Sequence, residues 1–334
     1  MKVLYQGPLK QGTPLPDLIK MVHYNHPKVE FVPYERGREG DVILTLNRTG
    51  ITPEDINKKD EIIRKDIRRI VHIGSIPTFM KRGRNKYSDK ISHVFYNSNF
   101  CKNIIQPTSD FKEFSSFLVF GGMPADDNMS PIRGPRKING NIHFIALAKW
   151  FKRPYKRLPQ IIRLYNKFLI KEYPDSILNI VGFKKDYREG NIHYYRKSSH
   201  DKRLISIFKN SHIQLMPTPF DTGPKTLAES LHYRVPFICS NNCAGKEYIK
   251  ILGKCGIEIE TDIFIDTYSK YRIHQPISII AKNKFYKNAL PYEKYFEAVK
   301  EIVNNFEEYT SWEWNEKLNY KDQSDKLYNI LKGK

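Results

Sequence analysis

Two carboxylates stand eight positions apart in the run Asp221-Thr-Gly-Pro-Lys-Thr-Leu-Ala-Glu229. An apolar strand, Ile213 to Met216, leads into it, and a second strand, Pro236 to Cys239, follows. Gly223 and Pro224 mark a helix start, because proline at the first helical position gives up an N–H that would have no partner there. Strand, polar loop, helix start and strand is how open α/β sheets build a ligand crevice at the carboxyl ends of their strands. A helix N-terminus offers free N–H groups and the positive end of a dipole, which suits a diphosphate or a sugar hydroxyl. Asp221 and the backbone of Gly223, Pro224, Lys225 and Thr226 would face such a ligand, with Glu229 more than a turn into the helix. The same residues admit a plainer reading, in which Asp221 caps the helix and Glu229 is solvated.

The elements that must position this run read as two α/β series. Val3 to Tyr5 is a first strand, followed by a loop containing Gly7 and Gly12, a helix from about Pro16 to Tyr24 and a strand Val29–Pro33. The loop lacks the glycine spacing of a dinucleotide-binding turn. Asp41–Leu46 is a continuous apolar strand of the kind buried in parallel sheets, and Thr52-Pro53 begins a helix. Ile70–Ile73 and Val94–Tyr96 are short strands separated by the basic loop Lys81–Lys86. A helix runs from Asn97-Ser98 to about Ile105, and Phe117–Phe120 closes the half. Met123–Lys137, rich in proline and without periodicity, is the domain boundary. The second series has strand Ile142–Leu147, loop Ala148–Arg157, helix Leu158 to Lys171, strand Ile177–Val181 ending at Gly182, and helix His200–Lys209. The pattern weakens beyond Ile249, and helices Pro291–Phe306 and Trp312 to Leu331 end the chain.

Composition sets the remaining bounds. A hydrophobic content of 40% over 334 residues supports a globular chain with a sizeable core. No apolar run is long enough to span a bilayer, and the N-terminus lacks the apolar region of a signal peptide. Cys101, Cys239, Cys243 and Cys255 form no metal-spaced motif and read as reduced thiols, with Cys239 and Cys243 the one pair that could attract a metal. The expected location is cytoplasmic. A net charge of +20 implies attraction to a polyanion or to phosphorylated substrates. It is concentrated between Asn128 and Lys171, which hold eleven Lys or Arg and no Asp or Glu.

Together these residues resemble a retaining glycosyltransferase of the GT-B fold, closest to the large family 4, most specifically from Ile142 to Glu247. That family carries a Glu-x7-Glu motif in its C-terminal domain. Asp221-x7-Glu229, Arg234-Val235-Pro236 and Ala244-Gly245-Lys246-Glu247 match it, with Asp221 shorter than glutamate by one methylene, roughly 1.5 Å. The resemblance implies a donor-sugar contact at Asp221, a ribose contact at Glu229, and a diphosphate held by Lys149 and Lys156, with Lys152 or Arg153 as substitutes. Gly182 falls on the donor side. Gly7, Gly12 and Ser98 take the acceptor-side positions, and His72 is the candidate cleft histidine. The implied architecture is two Rossmann-like domains facing across a cleft. Residues 1–125 form an acceptor domain, 126–138 a linker, 139–306 a nucleotide-sugar donor domain, and 307–334 a C-terminal helix returning to the first domain.

The implied reaction moves a sugar from a nucleotide sugar, such as a UDP- or GDP-sugar, to an acceptor hydroxyl with retention, using no metal and no further cofactor. The acceptor expected is a glycan or glycolipid, with peripheral contact to an anionic membrane. Two alternatives stay open. One is transfer to a hydroxylated base in DNA, with Tyr87, Trp150 and Tyr155 stacking on an extruded base. The other is a catalytically inactive polyanion-binding module.

Overall fold

The computed structural model describes residues 1–6, 14–34, 39–46, 68–73, 92–105, 114–116, 134–148, 156–196, 202–218, 221, 223, 225–261, 290–313 and 320–334. The chain divides into two compact units. One is built from residues of Met1–Pro124 and Asn315–Lys334, the other from residues of Ala125–Thr267 and Ile277–Trp314.

The first unit is a six-stranded sheet of β1 (Lys2–Gln6), β2 (Glu30–Pro33), β3 (Val42–Leu46), β4 (Arg68–Ile73), β5 (His93–Tyr96) and β6 (Phe114–Ser116), in the order β2-β1-β3-β4-β5-β6. Every pairing is parallel. Central strands buried on both faces explain the continuous apolar runs: Val3, Leu4, Val42, Ile43 and Leu44 are all shielded from solvent. Helix α1 (Pro14–Asn25) buries Leu15, Leu18, Met21 and Val22 at helical spacing. Helix α2 (Asn99–Ile105) follows β5. The expected strand Phe117–Phe120 and helix at Thr52-Pro53 lie outside the described residues, as does the loop Lys81–Lys86; the last strand observed is β6.

The second unit is a seven-stranded sheet of β7 (His143–Leu147), β8 (Ile177–Phe183), β9 (Tyr187–Glu189), β10 (Ile192–Arg196), β11 (Ile213–Met216), β12 (Phe237–Ser240) and β13 (Gly256–Ile259). Their order is β13-β12-β11-β7-β8-β10-β9. All pair in parallel except the edge strand β9, which is antiparallel to β10. Among the described residues the unit's α-helices are α3 (Leu158–Leu164), α4 (Ile170–Glu172), α5 (Lys202–Asn210), α6 (Lys225–His232), α7 (Gly245–Leu252) and α8 (Tyr292–Asn304). A π-helical turn, Tyr165–Leu169, joins α3 to α4, so the expected single helix has one widened turn. The β9–β10 hairpin, α7 and β13 were not separated in the sequence.

The final helix, α9 (Tyr320–Lys332), belongs to the first unit. Leu327, Ile330 and Leu331 join the core of α1 and the sheet, Ser324 Oγ donates to Val22 O (3.2 Å), and Asn25 Nδ2 donates to Asp325 (2.9 Å). Trp312 lies before this helix instead of starting it. It is buried, with the Arg234 guanidinium 4.9 Å from its ring centroid and bonded to the carbonyls of Thr310 and Trp312. Among the described residues no helix is long and apolar enough to cross a membrane.

Candidate functional site

In the second unit β7 has β8 on one side and β11 on the other. The chain leaves β7 toward one edge and later returns on the opposite side, so the connections after β7 and β11 diverge at their carboxyl ends. Open α/β sheets hold ligands at such switch points. Lys156 ends the connection after β7, and Asp221 lies in the connection after β11. Although 65 positions apart, Lys156 Nζ and Asp221 Oδ2 form an ion pair. Their side chains are only 9% and 17% exposed, so water screens the pair weakly.

Local structure fixes each partner. Arg157 takes a left-handed backbone (φ 60°) as N-cap of α3, and its carbonyl accepts from Gln160 and Ile161 N–H, both at 3.1 Å. That turn delivers the preceding Lys156 to the strand ends. Asp221 Oδ1 accepts from Gly223 N–H at 3.2 Å, an Asx turn. Its backbone is clamped to the connection after β12: Asp221 N–H donates to Asn242 O (3.1 Å) and Ala244 N–H to Asp221 O (2.9 Å). Ser240 Oγ ties Thr218 O to β12 at 2.5 Å. Among the described residues the Asp221 carboxylate thus meets Gly223 and Lys156, with no bond to an N–H inside α6.

Glu229 is 7% exposed, flanked in α6 by the buried Leu227, Ala228 and Leu231, so the reading of a solvated helical side chain fails. Gln214 of β11 sets the rotation of α6: its Nε2 donates to Thr226 Oγ1 (3.3 Å), and Ser230 Oγ donates to its Oε1. The Thr226 hydroxyl is therefore turned toward the sheet. Lys225, at the first turn of α6, is half-buried.

The other expected residues fall as follows. Gly182 has φ 118° and sits where the β8–β10 register skips a residue, a bulge in the left-handed region that favours glycine. Ser98 Oγ accepts from Cys101 N–H at 2.9 Å, an N-cap of α2 at the carboxyl end of β5. His72 lies in β4 opposite Phe95 of β5, with its side chain outside the described set. Lys149, Lys152, Arg153, Pro224, Gly7 and Gly12 lie outside the described residues.

Three residues near the switch point were given no functional role from the sequence. Arg157 is only 1% exposed; Pro159 near the start of α3 was the available signal that a cap preceded it. Lys246, in the first turn of α7, donates to Asn241 O at 3.1 Å. Thr218 is buried with a hydroxyl that has no hydrogen-bond partner among the described residues, and no sequence signal marks it. Gly245 explains how α7 seats here: a Cβ would lie 2.7 Å from Leu227 Cδ1 and 2.9 Å from Cys239 Sγ.

The four cysteines are buried thiols, none of them in a disulfide. A hydrogen bond to Cys243, reinforced by burial, pushes the Cys239 thiol well up, so it stays protonated and poorly reactive. Among the described residues no three His, Cys, Asp or Glu side chains group as metal ligands.

No protein-family model and no curated protein sequence matches the chain. Solved structures do. A glycosyltransferase from Rickettsia africae superposes with TM-score 0.54 at 14% identity, covering 99% of this chain and 98% of its own. Anabaena Alr3699/HepE, solved with UDP and glucose, gives 0.56 at 11% identity, covering 91% and 100%. The pneumococcal O-GlcNAc transferase GtfA, solved with UDP and GlcNAc, gives 0.51 at 12% identity over 87% of this chain, which spans only 56% of that longer protein. Likeness at such identities carries the fold alone, and the fold is GT-B: two Rossmann-like units, each built on its own parallel-stranded sheet.

Proposed function

We propose that the protein is a retaining, metal-independent glycosyltransferase of the family 4 type that takes its donor at the carboxyl ends of β7 and β11. The observation that carries this reading is the Lys156–Asp221 pair, held beside Gly223 at the switch point of the donor-side sheet. A buried ammonium there is a fixed counter-charge for a nucleoside diphosphate. Asp221 orients that ammonium. When the diphosphate arrives it replaces Asp221 as the partner of Lys156, and the carboxylate becomes free to accept from a sugar hydroxyl. Glu229 takes the ribose, and the backbone entering α6 contacts the sugar. Lys149, Lys152 or Arg153 supplies a second cation.

In this reading the acceptor oxygen attacks the anomeric carbon from the face the diphosphate is leaving. The new C–O bond forms as the bond to phosphate oxygen breaks, and the acceptor proton passes to that departing oxygen. Chain residues supply position and charge complementarity, with no covalent intermediate on the enzyme. The acceptor is a glycan or glycolipid and the working location cytoplasmic, at the surface of an anionic membrane. The net charge of +20 also favours the second reading, a DNA acceptor.

The test is a thermal-shift screen against UDP, GDP, ADP and CMP sugars, followed by turnover and NMR of the product's anomeric configuration. Selective stabilisation by one donor and a retained anomer are expected, with Glu229→Ala folded but inactive. Full activity in Glu229→Ala, or an inverted product, sinks the assignment.

A further inference from the structure

The amino ends of β7 and β11, the end of the sheet opposite Lys156 and Asp221, hold a second feature. A pocket of about 350 Å³ opens there, lined by Arg136, Lys137, Asn139, Asn141, His143, Lys209, Asn210 and His212. Among the described residues no carboxylate and no apolar side chain lines it.

The hydrogen bonding shows which groups are committed. Arg136 donates through Nη1 to Ser211 O (2.8 Å) and Tyr233 O (3.1 Å), and through Nη2 to Lys209 O (2.6 Å). It therefore terminates α5, where the negative helix end offsets part of its charge. Among the described residues no carboxylate pairs with Arg136, and burial alone lowers its guanidinium to about 10. Lys137 pairs with Glu307 at 3.2 Å, but both side chains are more than half exposed, so the pair is weak. Lys209, at the exposed C-terminal turn of α5, has no acidic partner among the described residues. His212 Nδ1 accepts from His143 N–H at 3.0 Å, which places the neutral ring's proton on Nε2. Its ring centroid is 5.9 Å from that of His143. Asn139, Asn141 and Asn210 line the same pocket and add side-chain amides to its inventory of donors. The pocket is thus rich in donors and positive in sign, and its size suits a small ligand.

We propose that this pocket is a second, non-catalytic anion site that takes a phosphoryl group, either of a free phosphomonoester or of a lipid headgroup. Lys209 provides the point charge, Arg136 and Lys137 the surrounding positive field, and the asparagine amides the directed donors to phosphate oxygens. The site stands at the far end of β7 and β11 from the donor loops. It therefore binds whether or not the glycosyltransferase reading holds.

Binding is tested with the full chain and inorganic phosphate, at constant ionic strength set with chloride, by calorimetry and by the imidazole NMR signals of His143 and His212. Wild type and Lys156→Met should show the same phosphate-dependent shifts of His143 and His212, whatever phosphate the donor end takes up. Lys209→Glu, a change at an exposed position, should fold normally and weaken binding by about tenfold or more. Equal histidine shifts in Lys209→Glu, or shifts lost only in Lys156→Met, overturn the proposal, since phosphate would then sit elsewhere. Flotation with phosphatidylglycerol vesicles separates the sources. Loss of vesicle binding in Lys209→Glu beyond that in the control Lys332→Glu identifies a headgroup, and equal vesicle binding identifies a free phosphomonoester.

Discussion

Replacing Lys156 with methionine removes the ammonium and keeps most of the side-chain volume. Among the described residues, the Asp221 carboxylate then retains the Gly223 N–H at 3.2 Å as its one side-chain hydrogen bond. Breaking one half of a fully buried ion pair costs about 3–5 kcal/mol. With 9% and 17% of the two side chains still exposed, water recovers part of that, and about 2 kcal/mol is expected. This corresponds to a fall of about 4–8 °C in the melting of the second unit. The companion variant Lys156→Met/Asp221→Asn should recover most of the stability, because the asparagine side-chain oxygen still accepts from Gly223 and no charge is stranded. Donor affinity should not recover. A charge-assisted hydrogen bond to diphosphate is worth about 2 kcal/mol, or roughly 30-fold in Kd, and both variants lack it. Asp221→Asn alone separates the roles of the two residues, since loss of the competing carboxylate should tighten nucleoside diphosphate binding while slowing transfer. Differential scanning calorimetry and titration with the nucleoside diphosphate measure each quantity. A Lys156→Met protein with unchanged melting and unchanged affinity would refute the reasoning.

Two further perturbations follow from geometry away from the ion pair. Gly245→Ala places a methyl 2.7 Å from Leu227 Cδ1 and 2.9 Å from Cys239 Sγ. Overpacking of that kind costs about 1–3 kcal/mol, read as a lower urea midpoint, and a neutral substitution would mean that α7 is not seated as described. His212 makes stability pH-dependent. Burial, with Arg136 and His143 nearby, depresses its imidazole to about 4 from 6.5. The unfolded chain therefore binds the extra proton first, and stability is complete above pH 6.5 and falls as pH drops toward 4. Between about pH 7 and about pH 5 the loss from this residue is about 2 kcal/mol. His143 and His193, also lowered by burial, add in the same direction. His212→Asn, whose side-chain oxygen can still accept from His143 N–H, should flatten the urea-midpoint slope over that range, and an unchanged slope would contradict the burial account.

What the sequence disclosed follows from the range over which each signal acts. The parallel strands were legible because burial on both faces leaves continuous apolar runs such as Val42–Leu46 and Ile213–Met216. The β9–β10 hairpin was not, because Tyr187–Glu189 is an exposed edge strand with no apolar alternation to read. Glu229 was singled out by type and spacing, yet its burial depends on Gln214 fixing the rotation of α6 from another strand. Asp221 shows the limit most clearly. Counted along the chain it is a shortened glutamate eight residues before Glu229. In the fold it pairs with Lys156, brought in by the strand order that places β7 beside β11. The missing methylene makes sense in that setting, because a carboxylate that must both close an Asx turn on Gly223 and meet Lys156 has to stay near its own backbone. Strand order, a long-range property, thus gives Asp221 a partner that spacing along the chain does not disclose.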